Sequence, residues 1–71
     1  MDEQEATDNL EVLCGGIERA FRLMQIYSAA KTKADYQARR RNSIPLSRVF
    51  KQAALKEGYS PAAISAYLDY V

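Results

Sequence analysis

Arg39, Arg40 and Arg41 stand in one run, with Lys31, Lys33, Arg48, Lys51 and Lys56 on either side of it. Between positions 31 and 56 these eight cations face Asp35 alone, so the segment carries eight minus one, a net charge of +7. Guanidinium and ammonium groups at this density suit the phosphate oxygens of a nucleic-acid backbone. Each such contact is blind to sequence, and binding built from them weakens as salt rises. The same residues also have an ordinary use, because cations near the C-terminal end of a helix meet its last carbonyls and the negative end of its dipole. Acidic charge is gathered elsewhere: positions 1–11 hold five acids and no base, so the formal +1 of the whole chain conceals a polarised molecule.

Other chemistry is poorly provided for. The chain has no His and a single Cys, Cys14, which removes Ser-His and Cys-His dyads, His-ligated zinc and any intrachain disulfide. The close carboxylates Glu3 and Glu5, or Asp8 and Glu11, read as a solvated acidic end with no pocket implied, and no glycine-rich phosphate loop or metal-ligand spacing stands out. The expectation is a non-enzyme without cofactor or metal. Cys14 falls in an apolar stripe, where a thiol behaves as a small hydrophobe. No run of about 18 apolar residues exists. The opening Met1–Glu5 is acidic where a secretory leader would be basic and then apolar, so a soluble, cytoplasmic protein is expected.

The elements that must hold the cations follow from 71 residues, enough for one small domain. Gly and Pro, five in all, punctuate the chain at Gly15–Gly16, Pro45, Gly58 and Pro61, and no alternating strand pattern appears between them, so an all-α fold is expected. A long first helix is expected over residues 9–41, capped near Thr7, Asp8 and Asn9, with residues 1–8 an acidic and flexible lead. Leu10, Leu13, Ile17, Ala20 and Met24 form a heptad-like seam on it, and a second row of Val12, Leu23 and Ile26 makes its first half apolar on more than one side. A rod of some 30 residues rises about 45 Å, more than the helices that follow can cover. The seam is therefore expected to pair with a second copy as a homodimer interface. The alternative is a break at Gly15–Gly16, giving four short helices in a monomer, since each Gly costs about 1 kcal/mol inside a helix.

Beyond Pro45, a second helix is expected over about Leu46–Glu57, with Leu46, Val49, Phe50, Ala53 and Ala54 inward and Arg48, Lys51, Gln52 and Lys56 outward. Gly58 would stop it in a left-handed conformation. Ser60 would cap a third helix opened by Pro61, with Ile64, Tyr67, Leu68 and Val71 at helical spacing. The five tyrosines, Tyr27, Tyr36, Tyr59, Tyr67 and Tyr70, are expected at the edges of a thin core with their hydroxyls wet. Tyr36 and Tyr70, off the apolar seams, are the two that could stack on bases.

The stretch Phe50 to Asp69, and within it Ala54-Leu55-Lys56-Glu57-Gly58-Tyr59-Ser60-Pro61-Ala62-Ala63-Ile64-Ser65, resembles the helix-turn-helix family of DNA-binding proteins. Ala54 is small where two helices cross, Gly58 allows the turn, Tyr59 closes over the core and Ile64 locks the next helix down. The resemblance implies that the third helix enters a major groove, presenting Ser60, Pro61, Ala62, Ser65, Ala66 and Asp69, and that the second helix faces the backbone. Unlike the usual family pattern, that surface has no Arg, Lys, Asn or Gln for base edges, which leaves hydroxyls and small apolar groups. The expected DNA contacts are thus Arg39, Arg40, Arg41, Arg48, Lys51, Gln52, Ser60, Ala62 and Ser65, mostly to phosphate.

Two functions follow. One is a dimeric helix-turn-helix regulator or accessory factor on double-stranded DNA, acting for instance in transcription regulation. The other is a non-enzymatic protein-interaction module, an oligomeric adaptor or an inhibitor of a larger machine, in which the helix pair is only scaffold and the acidic end meets a basic partner.

Overall fold

The computed structural model describes residues 3–40 and 44–71, with side chains from residue 8 onward. These residues form four helices and no strand: α1 (Glu3–Cys14), α2 (Ile17–Arg39), α3 (Leu46–Lys56) and α4 (Pro61–Tyr70). The all-α class stands, and the single long first helix does not. Residues 9–41 are divided at Gly15 (φ 91°) and Gly16 (φ 127°), both far from helical geometry. The Gly16 N–H donates to the Glu11 carbonyl at 2.9 Å and the Gly15 N–H to the Val12 carbonyl at 3.2 Å, which is the paired closure of a Schellman end. The helical start also differs, because α1 begins at Glu3 and includes residues expected to be a flexible lead. A short polar side chain is a permissive cap, and here the helix runs through Thr7–Asn9.

The break lets α1 fold back, and the helices close a ring in which α1 packs on α2 and α4 while α3 packs on the same two. The core inside this ring is built on Leu23, Phe50 and Ile64, each essentially without solvent contact, with Ala54 and Ala63 allowing close approach. Burying side chains of this size contributes about 1.5–3 kcal/mol each. Tyr27, Phe50 and Tyr67 form a triangle with centroids 5.2, 5.3 and 5.4 Å apart, joining α2, α3 and α4. Tyr59 and Tyr67 are thus core members rather than edge residues.

Helix α3 ends by the same device as α1. Gly58 (φ 91°) donates its N–H to the Leu55 carbonyl and Tyr59 donates to the Ala54 carbonyl, both at 3.1 Å. After it, Ser60 Oγ accepts the Ala63 N–H at 3.2 Å, and Pro61 opens α4. Val49, Phe50 and Ala54 face inward as their spacing implies, whereas Val71 at the end of α4 is exposed. No helix among the described residues is long and apolar enough to cross a membrane.

Candidate nucleic-acid interface

The expected phosphate contacts lie at one corner. Arg39 is the last residue of α2 and Arg40 its C-cap, while Arg48 and Lys51 occupy the first two turns of α3; all four are exposed. Arg40 stacks its guanidinium 5.1 Å from the Tyr36 ring centroid, which braces the side chain. The expectation for Arg41 lies outside the described residues. Gln52 is exposed on α3 and lines a groove of about 440 Å³ between α2 and α3. Ala29, Ala30 and Ala53 line it together with Lys33, Lys56 and Gln37. Gln37 Oε1 is buried there without a partner among the described residues.

Ser60, Ala62 and Ser65 are exposed at the leading end of α4. They lie beyond the far end of α3 from Arg48, so α3, with its 11 residues and about 16 Å of rise, separates the two groups. The Ser60 oxygen is already engaged as the cap, and Asp69 adds an exposed negative charge further along α4. The site is therefore two patches along α3: a basic one at its start and a small, hydroxyl-bearing one past its end.

Sequence spacing did not find the residues that orient α3 and α4. Arg19 Nε donates to the Cys14 carbonyl at 2.9 Å, its guanidinium lies 4.3 Å from the Tyr59 ring centroid, and the Tyr59 hydroxyl donates to the Arg19 carbonyl at 2.7 Å. One residue of α2 thus ties the end of α1 to the α3–α4 turn. Arg22 grips Glu57 through Nη2 at 3.0 and 3.2 Å to its two carboxylate oxygens. Burial pushes the Tyr59 and Tyr67 phenols and the Cys14 thiol above their ordinary pKa values, with the Arg19 charge partly offsetting this for Tyr59 and Cys14. Arg19 interrupts the apolar row of Val12, Leu23 and Ile26, and that interruption is the one signal of it in the sequence.

The expected oligomer seam is split. Leu10 is buried within the chain and Ala20 is half-buried. Leu13, Ile17 and Met24 remain exposed, the last two at 56% and 46%. The second row supplied Leu23 and Ile26 to the core instead, because the break at Gly15–Gly16 resets the helical phase between α1 and α2. Phe21, 57% exposed, joins Ile17 and Met24 on the outer side of α2.

Comparison with known proteins finds no matching family model, no similar curated protein and no similar solved structure.

Proposed function

We propose that this chain is a small helix-turn-helix-type binder of duplex DNA, a regulator or accessory factor that holds the phosphate backbone with the cations of the α2–α3 corner. The observation that carries the reading is the freedom of those cations. The ion pair found among the described residues is Arg22–Glu57, and Arg39, Arg40, Arg48 and Lys51 stand exposed with no carboxylate of the described residues on them. Exposure of Ser60, Ala62 and Ser65 at the leading end of α4 supports the geometry, with α4 as the helix offered to a groove. Small side chains there favour sequence-tolerant binding.

Fluorescence anisotropy with a mixed-sequence duplex at several salt concentrations tests it. Replacing Arg39, Arg40 and Arg41 together by Ala is expected to weaken binding at every sequence and to flatten the salt dependence by about 0.9 in log–log slope per lost phosphate contact. Absence of any duplex binding at low salt would end the reading. A second reading, the non-enzymatic interaction module, is favoured by the apolar side chains exposed on α2. A stoichiometric protein partner retained after nuclease treatment, and after the triple Arg substitution, would support it.

A further inference from the structure

We infer that the groove between α2 and α3 is a docking site for an acidic peptide segment of a partner protein, laid lengthwise with two carboxylates four residues apart. Such a site is separate from duplex binding and does not rest on it. Arg22, Gln25, Ala29, Lys33 and Gln37 recur on α2 at steps of three and four, so one stripe of that helix lines the groove over 15 positions, or about 22 Å. From α3 come Val49, Gln52, Ala53, Lys56 and Glu57, also at helical spacing. The short side chains of Ala29, which is exposed, and Ala53, which is half-buried, leave the space between the two helices. About 440 Å³ spread along that length makes an open trough rather than an enclosed pocket, which suits a chain and not a compact ligand.

Charge selects the occupant. Arg22 and Glu57 satisfy one another at 3.0 Å, which leaves Lys33 on α2 and Lys56 on α3, both exposed, with no carboxylate of the described residues on either. An acidic segment complements that excess. Two other groups separate a peptide from a nucleic-acid strand. Glu57 would meet a phosphodiester as a like charge, and a phosphodiester has no donor for Gln37 Oε1, which is buried in the groove without a partner among the described residues. A peptide N–H donates to it. The ion pair also sets the spacing. Arg22 and Glu57 lie level with each other, Lys56 adjoins Glu57, and Lys33 is 11 positions beyond Arg22, so the two lysines stand about 15 Å apart along the groove. Four residues of extended chain span about 13 Å, within reach of the flexible lysine stems.

NMR of the full chain with isotope-labelled alanine methyls tests this, using two blocked peptides of one composition, Glu-Ala-Ser-Ala-Glu and Ala-Glu-Glu-Ser-Ala. The first is expected to shift the Ala29, Ala30 and Ala53 methyls saturably and to bind at least about three-fold more tightly than the second. Lys33→Glu and Lys56→Glu, at exposed positions, should each leave the helical circular dichroism intact and weaken binding about two- to ten-fold. Gln37→Met, which keeps the length of the side chain and removes the acceptor, should weaken it by a similar factor. No saturable shift at these methyls overturns the proposal. Equal binding of the two peptides, or indifference to all three substitutions, overturns it as well. A single-stranded oligonucleotide that shifts the same methyls and displaces the peptide would make the groove a nucleic-acid site instead.

Discussion

The elbow at Gly15–Gly16 and the turn at Gly58–Ser60 end their helices with the same two backbone hydrogen bonds, yet their surroundings are opposite. At the turn, the residue after the left-handed glycine is Tyr59, which is buried, stacked under Arg19 and hydrogen-bonded to the Arg19 carbonyl. At the elbow, the corresponding residue is Gly16, which has no side chain to pack and gives α2 no side-chain cap. The backbone motif sets where a helix stops, and the side chain that follows it decides whether the corner is sealed. The unsealed corner is the one flanked by exposed Val12, Leu13, Ile17 and Phe21.

Removing the seal should have the largest effect. Tyr59→Ala is expected to cost about 3–5 kcal/mol in denaturant unfolding, as for other buried aromatics. Tyr59→Phe, which removes the hydroxyl bond alone, should cost about 0.5–1.5 kcal/mol. Equal losses in the two variants would mean that the ring packing contributes little.

At the elbow, a methyl on Gly16 would meet nothing within 4 Å, so any penalty there is conformational. With φ 127° and ψ 166°, Gly16 occupies a region essentially reserved for glycine, and Gly16→Ala is expected to cost about 1–3 kcal/mol by thermal or denaturant melting. A neutral result would show that the corner can relax, and that it is a looser joint than the turn.

The smallest contrast lies in alkali. Burial keeps the Cys14 thiol and the Tyr59 phenol protonated in the folded chain, whereas unfolding returns them to ordinary values of 9.0 and 10.0. The unfolded state loses its protons first, so the stabilisation is complete below those values and is lost as pH rises through and above them. Stability should begin to fall near pH 9 in the parent and only near pH 10 in Cys14→Ala, as read from melting temperatures across that range. Identical profiles would place the thiol in a wetter site than the elbow implies.

Much of the α3–α4 half was legible in the sequence. The outward set of Arg48, Lys51 and Gln52, the stop at Gly58, the Ser60 cap and the Pro61 start all occur where their types and spacing place them. The basic corner was legible too, because charge clusters on short connected helices stay close whatever the fold. The α1–α2 half was harder to read. Two apolar rows run along it, and the structure takes Leu23 and Ile26 of the second row into the core while Leu13, Ile17 and Met24 of the seam stay exposed. Arg19 and Arg22, which hold the turn in place, gave little sign of their partners, since those lie 40 and 35 positions away along the chain.

The sequence by itself determined that the chain is helical, where α3 stops and α4 starts, and that charge is divided between a basic middle and an acidic beginning. Each of these depends on interactions within a turn or two of helix, or on composition alone. Only the tertiary structure decided that α1 folds back, that Leu23 and Ile26 are buried while Ile17 and Met24 face solvent, and that Arg19 joins elbow to turn. Burial is a property of which surfaces meet. A chain with more apolar faces than one small core can cover leaves that choice to packing.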